Sequence, residues 1–328
     1  MISKDFTKAL SAAVFVALST IVGSSAHAEN FPNQPIKLVV PFAPGGGNDI
    51  LARAIAPHMA KSLGQPVVVD NRPGAGGNMG AQAVAKSTDG HTILIASNQI
   101  TVNPALGFKG AVDAQRDFAP VGMIATVPII LVVSPNQPYK NLPEFLAHVK
   151  ANPGKVSYSS PGVGTPQHLA GELFAFINKG EMLHVPYKGT APAITDVVGG
   201  QVVASFGTMA SVQSFIKTDK LRALGIAGKK RAPVFPDLPT FGEMGMKDYD
   251  AELWYCLLAP SSMPSPNVAK VHAALRDAMK NLQADGTLEK QGFEPSLSSQ
   301  AELKNKIATD LTRWSRLVKE SGIKVDLN

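Results

Sequence analysis

The stretch from residue 36 to residue 59 constrains the fold more than any other part of the chain. Residues 36–40 are a short apolar run of the kind that forms a buried strand, and residues 41–49 read PFAPGGGND. Apolar residues then recur at helical spacing. The pattern predicts a strand, a glycine turn and a helix whose first amides and dipole favour an anion. A tight turn that binds nothing is an equally simple interpretation.

The first 28 residues form a separate unit. Lys4 and Lys8 precede an apolar segment over 9–22, and Ala26-His27-Ala28 has the small-residue pattern of a cleavage site. This order predicts a secretory signal peptide over 1–28, cut after Ala28, and an exported mature protein. The alternative, a retained membrane anchor, is disfavoured because the apolar run is short for a bilayer.

Composition narrows the chemistry. The single cysteine, Cys256, excludes an intrachain disulfide and a multi-cysteine metal site. The formal charge of +6 is scattered apart from the cluster at 229–231, so it favours an anionic ligand only weakly and offers no basic stripe for nucleic acid. The histidines show no metal-binding spacing. We therefore expect no metal, no cofactor and no nucleic-acid partner.

Strand and helix patterns alternate along the mature chain, which predicts an α/β fold with parallel strands. Two long apolar runs, 127–133 and 253–259, bracket a complete second set of α/β units. This arrangement indicates a chain that leaves one domain and later returns to it. The predicted division is domain I at 29–129 plus 252–328 and domain II at 130–251.

Ligands of open α/β sheets bind beyond the carboxyl ends of the strands. The loops predicted there are 41–49, 70–80, 97–99, 159–166 and 187–191. They carry no nucleophile with a base, and their glycine spacings match neither the dinucleotide nor the Walker fingerprint. Main-chain amides and small hydroxyls remain, which suit binding a carboxylate rather than transforming one.

Two residues in these loops are harder to interpret. Asp49 lies in the first turn of the predicted helix, where it either stabilises the helix start or faces the ligand and repels an anion. We favour the first role. His168 lies one turn into another candidate binding helix, and it is the histidine for which a functional role is easiest to imagine.

Several longer motifs point in one direction. They are PFAPGGGND at 41–49 with Arg53, VDNRPGAGGN at 69–78, PGVGT at 161–165, VPYKGTAPA at 185–193, GGQV at 199–202, LRAL at 221–224, FPDLPT at 235–240 and WY at 254–255. With these motifs the mature chain resembles, over essentially its whole length, the substrate-binding proteins of tripartite tricarboxylate transporters, also called the Bug (Bordetella uptake gene) family.

The resemblance implies a periplasmic protein of the type II periplasmic binding protein-like architecture, with a ligand cleft between two α/β lobes. Such a protein is a monomer, binds a small di- or tricarboxylate or related organic acid through main-chain amides, and delivers it to membrane transporter subunits. The residues that the resemblance assigns to the ligand are Phe42, Pro44, Gly45, Gly46, Ser97, Asn98, Ser160, Gly164, Thr165, Tyr187 and Thr190.

The chain also departs from the family pattern. Val203 and Gly207 stand where acids are common, and Cys256 replaces a common glycine. We expect the first two to make the domain II wall of the cleft less acidic, which would favour a dicarboxylate over an amino acid. Two other functions stay open: a periplasmic ligand sensor that docks on a receptor kinase and, more remotely, an exported α/β enzyme. The missing nucleophile–base pair predicts that the protein is not an enzyme.

Overall fold

The computed structural model of the chain describes residues 31–247, 249 and 251–321. The predicted signal peptide and its cleavage site lie outside these residues. The described part contains two β-sheets and ten α-helices, which confirms the predicted α/β class. None of its helices has both the length and the apolar character that a membrane span requires.

Strands and helices alternate through most of the chain. The strands are β1 (Ile36–Val40), β2 (Val67–Asn71), β3 (Thr92–Ser97), β4 (Phe118–Val127), β5 (Ile129–Val133), β6 (Val156–Ser160), β7 (Met182–Pro186), β8 (Ala204–Thr208), β9 (Arg222–Ile226), β10 (Leu253–Pro260) and β11 (Glu294–Pro295). The helices are α1 (Gly47–Leu63), α2 (Asn78–Ala85), α3 (Gln99–Ala105), α4 (Leu142–Ala151), α5 (Pro166–Ile177), α6 (Thr190–Val198), α7 (Met209–Lys217), α8 (Ser265–Ala284), α9 (Thr287–Lys290) and α10 (Gln300–Ser321).

Both sheets are mixed. The first has the order β11-β4-β10-β3-β1-β2, with β1 parallel to β2 and β3, and β10 antiparallel to β3 and β4. The second has the order β7-β6-β8-β5-β9, with β6 parallel to β7 and β8, and β5 antiparallel to β8 and β9. The expectation of parallel strands is therefore only partly correct, because a strand that is apolar on both faces looks the same in either direction.

The predicted long strand over 127–133 is two strands that belong to different sheets. β4 ends at Val127 in the first sheet, and β5 begins at Ile129 in the second. Pro128 separates them because proline has no N–H to donate to either ladder. The chain returns to the first sheet between β9 and β10. The predicted domains, 29–129 plus 252–328 and 130–251, follow this route, and their boundaries stay a prediction.

The first strand–turn–helix unit is anchored by packing. α1 packs against α8, and its buried face includes Leu51, Ile55 and Met59. Gly64 ends the helix with φ 70°, a left-handed conformation that glycine adopts without steric cost. Because β1 lies inside the sheet and α1 is packed along its length, the glycine turn between them is held from both ends.

Candidate functional site

The glycine turn after β1 meets the start of α6, so residues from the two sheets contact one another directly. The N–H of Ala43 donates to the carbonyl oxygen of Lys188 at 3.0 Å. A Cβ on Gly46 would lie 3.5 Å from Oγ1 of Thr190 and 3.7 Å from its amide nitrogen. We call this region the junction: residues 43–47 on one side and 188–191 on the other.

Two helices begin at the junction without a side-chain cap. α1 has Gly46 at its N-cap and α6 has Gly189, and neither N-cap residue has a side chain to accept from the first amides. α7 begins nearby: Oγ1 of Thr208, its N-cap residue, lies 3.6 Å from where a Cβ of Gly47 would be. Free first-turn amides and positive dipole ends from separate helices therefore gather in one place, an arrangement suited to an anion.

A buried tyrosine lies beneath this group of helix starts. A Cβ on Gly47 would lie 2.0 Å from the hydroxyl oxygen of Tyr255, so no larger residue fits at position 47 without displacing the ring. Burial raises the pKa of Tyr255, and a hydrogen bond with Thr208 opposes that shift only in part. Tyr255 therefore keeps its proton. In the sequence, Tyr255 stands out only as part of the WY motif at 254–255, and nothing there marks it as a neighbour of the site.

Asp49 stabilises the glycine turn rather than facing a ligand. Its Oδ2 accepts hydrogen bonds from the N–H of Gly45 at 3.0 Å and from Nε of Arg53 at 2.9 Å, and its Oδ1 accepts from Nδ2 of Asn71 at 3.0 Å. Burial raises the pKa of Asp49, but these hydrogen bonds outweigh burial and hold the pKa below its usual value. The carboxylate is charged at neutral pH, and its acceptors are used inside the turn.

Replacing Asp49 by asparagine is expected to destabilise the protein. The new amide nitrogen is itself a hydrogen-bond donor and would point at the groups that now donate to Asp49, so it would have no acceptor. A buried unsatisfied donor costs about 1–3 kcal/mol. Urea unfolding at pH 7 measures the change in the free energy of unfolding. Arg53→Gln is the matched control, because the Arg53 side chain is 55% exposed and such ion pairs contribute at most about 1 kcal/mol. Equal losses in both variants would contradict the assigned role of Asp49.

The other predicted site residues of the first turn lie at or beside the junction. The carbonyl oxygen of Phe42 accepts from Nδ2 of Asn71 at 3.0 Å, and its ring lies 2.8 Å from where a Cβ of Gly77 would be. Pro44 has no N–H, and the N–H of Gly45 is bonded to Asp49. Of the four residues predicted here, Gly46 is the one placed directly against Thr190.

A second group of predicted residues lies in the loop after β6, residues 160–165, which we call the second loop. Oγ of Ser160 accepts from the N–H of Gly162 at 3.1 Å. Oγ1 of Thr165 donates to the carbonyl oxygen of Gly162 at 2.7 Å and accepts from the N–H of His168 at 3.3 Å, so Thr165 caps the start of α5. The N–H of Gly164 donates to Nδ1 of His168 at 3.2 Å. These groups are bonded within the second lobe itself.

The second loop also touches residues that precede and follow β3 in the chain. A Cβ on Gly76 would lie 2.0 Å from the carbonyl oxygen of Val163, and a Cβ on Gly164 would lie 1.9 Å from Oδ1 of Asn103. Gly76 has φ 58°. Together with the junction, this contact makes two places where loops of the two sheets meet, and the second depends on the small size of Gly76 and Gly164.

The remaining predicted residues are dispersed. Ser97 ends β3, and its N–H donates to Oε1 of Gln99 at 2.6 Å. Nδ2 of Asn98 donates to the carbonyl oxygen of Glu252 at 3.0 Å. The side-chain atoms Oδ1 of Asn98 and Nε2 of Gln99 are buried and have no hydrogen-bond partner among the described residues. The hydroxyl of Tyr187 donates to Asp196, on the helix that begins at the junction.

The expected effect of Val203 and Gly207 on the cleft wall is wrong. The N–H of Val203 donates to Oγ of Ser157 at 3.1 Å, before β8 begins, whereas the junction lies beyond the other end of that strand. A Cβ on Gly207 would lie 2.6 Å from Cγ1 of Val212 and 3.0 Å from Cδ1 of Ile194, under α6 and α7. Neither position faces the cleft, so the inferred preference for a dicarboxylate over an amino acid loses its basis.

Two histidines lie under the second loop. The rings of His168 and His184 stack with centroids 4.0 Å apart and an interplanar angle of 23°. Burial, together with the neighbouring His184, lowers the pKa of His168 from 6.5 to about 3, and burial lowers the pKa of His184 to about 4. Both rings are therefore neutral in the folded protein at pH values where the unfolded chain binds protons.

This difference predicts a loss of stability in mild acid. Because the unfolded chain takes up protons first, the free energy of unfolding falls as the pH drops from 6.5 toward 4. At pH 5 the loss is about 2 kcal/mol for His168 and less for the half-buried His184. Urea titrations at pH 7.5 and pH 5 measure it, and His168→Leu should show a smaller difference between the two. If His168→Leu lost as much stability as wild type between pH 7.5 and pH 5, proton uptake by His168 could not be the cause of the loss.

A cavity of about 610 Å³ lies elsewhere, along β9. Its wall is mostly apolar, and residues that line it include Pro135, Leu221, Arg222, Val234 and Phe235. Among the described residues that line this cavity, there is no uncapped helix start whose free main-chain amides point into it. We therefore place the candidate site at the junction on chemical grounds rather than by volume.

Comparison with known proteins identifies the family. A family model described as the tripartite tricarboxylate transporter family receptor matches residues 51–323. The protein BugT of Bordetella pertussis is 34% identical over 315 residues, which cover 95% of this chain and 96% of BugT. The solved structure of the periplasmic binding protein BugD is 32% identical with a TM-score of 0.86, covering 89% of this chain and 99% of that one. MatC from Rhodopseudomonas palustris, solved with bound malate, is 32% identical with a TM-score of 0.84, covering 88% of this chain and 100% of that one.

The fold is therefore that of a two-lobed periplasmic binding protein, as the sequence predicted. The chain belongs to the tripartite tricarboxylate transporter receptor family, a family of solute-binding proteins, and the resemblance to the Bug proteins is confirmed.

Proposed function

We propose that this protein captures a small carboxylate in the periplasm and delivers it to a membrane transporter of the tripartite tricarboxylate type. The ligand is a di- or tricarboxylate or a related organic acid, bound without chemical conversion. The malate bound to MatC supports this ligand class, and the family description supports the transporter partnership. We further propose that the protein is a monomer and that residues 1–28 are removed after Ala28.

The observation that carries the proposal is the convergence of uncapped helix starts at the junction. α1 follows a strand of the first sheet and α6 follows a strand of the second, and the two helix starts meet where Gly46 faces Thr190. A carboxylate placed there would accept hydrogen bonds from main-chain amides of both helices. Each charge-assisted hydrogen bond contributes about 1.5–3 kcal/mol, so three or four reach the ~8 kcal/mol of micromolar affinity.

The proposed ligand residues differ in the role that their contacts allow. The first amides of α1 and α6, next to Gly46 and Thr190, are the proposed carboxylate donors. The buried polar atoms at Asn98 and Gln99 are proposed for the far end of the ligand. The remaining residues shape the cleft from behind: Phe42, Pro44, Gly45, Ser97, Ser160, Gly164, Thr165 and Tyr187.

Native mass spectrometry of the purified mature protein tests the proposal. We expect a bound small organic acid, identified after denaturation, and calorimetric titration with that acid should give a micromolar or tighter dissociation constant. Malate and a neutral sugar serve as the initial positive and negative probes. A preference for uncharged or cationic solutes would overturn the proposed carboxylate site.

Two alternatives are decided by separate measurements. In the sensor alternative the same ligand-bound form docks on a receptor kinase, and a pull-down from membranes with and without ligand distinguishes kinase from transporter subunits. In the enzyme alternative the purified protein converts a carboxylate, and product analysis after prolonged incubation would show turnover. We favour transport because the matched family is one of transporter receptors.

A further inference from the structure

The second loop rests on the two stacked histidines described above. Nε2 of His184 lies 2.7 Å from Oγ of Ser160, at the start of the loop. Nδ1 of His168 accepts the N–H of Gly164, near its end, at 3.2 Å. Each ring therefore holds one end of the loop, and the stacking of the rings at 4.0 Å connects the two contacts.

The contact at Gly164 fixes the tautomer of His168. Because a main-chain N–H can only donate, Nδ1 must be the acceptor, and the ring proton is then on Nε2. Nε2 lies 3.8 Å from Oε1 of Glu172, one turn further along α5. That separation is too long for a hydrogen bond. The same carboxylate accepts from the hydroxyl of Tyr158 at 2.6 Å, and the rings of Tyr158 and His184 stack with centroids 5.0 Å apart. The groups around the pair come from α5, β6 and β7, and their hydrogen bonds agree with neutral rings.

The bond at Gly164 also orients the part of the loop that meets the other lobe. Gly164 has φ 78°, and the peptide unit before it places the carbonyl oxygen of Val163 against Gly76. Rotation of that peptide unit would turn the N–H away from His168 and the carbonyl oxygen away from Gly76 together. The direction of one hydrogen bond thus sets the surface that the second loop offers to the first lobe.

We propose that His168 and His184 are positioning residues that hold the second loop in the shape required to close on the ligand. The effect on ligand affinity rests on the proposed carboxylate-binding function. The effect on the loop does not, because it concerns a hydrogen bond inside one lobe. His168 fills core space as well, so the tests must separate the acceptor atom from the volume of the ring.

Two substitutions of one residue make that separation. His168→Asn keeps an oxygen near the position of Nδ1, whereas His168→Leu fills similar space without an acceptor. His58→Leu, on α1, is the control for a histidine outside this cluster. We measure hydrogen exchange of the Gly164 amide proton by NMR in the unliganded protein. We expect slow exchange in wild type, in His168→Asn and in His58→Leu. In His168→Leu it should exchange at least about tenfold faster, as expected for a lost hydrogen bond.

Calorimetric titration with malate at pH 7.5 is the second measurement. We expect His168→Leu to bind about fivefold to tenfold more weakly than wild type, and His168→Asn to recover most of that loss. Equal exchange rates at Gly164 in all variants would overturn the inference, whether or not malate binds. Failure of wild type to bind any carboxylate, with the exchange difference intact, would instead overturn the proposed function and keep the loop assignment.

Discussion

Replacing Gly46 by valine is expected to abolish ligand binding and leave the unliganded protein folded. Gly46 has φ −86° and ψ 171°, a conformation that any residue adopts, so the substitution introduces no backbone strain. Its Cβ would meet Thr190 at 3.5–3.6 Å, an ordinary contact. The two γ-methyl groups extend beyond this Cβ, and they would occupy the space between the helix starts where the carboxylate is proposed to lie.

We expect at least a roughly hundredfold rise in the dissociation constant for Gly46→Val, equivalent to the ~3 kcal/mol that severe overpacking costs. Gly46→Ala should lie between wild type and valine because its Cβ fits. Calorimetry measures the affinity, and thermal denaturation without ligand measures stability. A large loss of stability in unliganded Gly46→Val would mean that the glycine serves the fold. If Gly46→Val bound the ligand with wild-type affinity, the ligand could not lie beside Gly46.

The second large effect is expected at Gly76. An alanine there would place its Cβ 2.0 Å from the carbonyl oxygen of Val163, a backbone atom that cannot move away alone. The two lobes could then not approach as closely as they do here. We expect ligand affinity to fall by more than about tenfold, because the amides of the second lobe no longer reach the ligand.

Gly90→Ala is a matched control for this experiment. Gly90 has φ 68°, close to the φ 58° of Gly76, and a Cβ at Gly90 would meet nothing within 4 Å. Both variants therefore carry the same left-handed strain of about 1–2 kcal/mol, and only Gly76→Ala adds the contact between lobes. Titration of both with the same carboxylate decides the matter: equal affinities would show that closure does not depend on Gly76.

The strand–turn–helix units were predictable because glycine or proline closes each apolar run. A helix was predicted directly after the glycine turn, and α1 spans Gly47–Leu63 and ends at Gly64. β4, α3 and α7 were not predicted. β4 contains Pro120 and Gly122, α3 contains Pro104, and α7 follows Thr208 with no turn residue between them. Proline and glycine usually mark the end of a strand or helix, so they argued against β4 and α3, and no turn residue marked the start of α7.

The site was less predictable than the fold, because sequence motifs identify loops but not the direction of their hydrogen bonds. Gly45 and Gly164 were both chosen as amide donors, yet their N–H groups donate to Asp49 and His168 within the same lobe. The role of Tyr255 depends on strand pairing, which brings β10 beside β3 across more than 150 residues of chain. Such partners can be found only once the strand order is known.

The route of the chain through Pro128 has a mechanical consequence. Between residues 31 and 321, the chain passes from one sheet to the other only there and between β9 and β10. Rotating one lobe about these two connections would break the bond between Ala43 and Lys188 and leave every hydrogen bond within the ladders of both sheets intact. Opening of the lobes to release a solute therefore costs contacts between the lobes, whereas the hydrogen bonds that keep each sheet folded need not break.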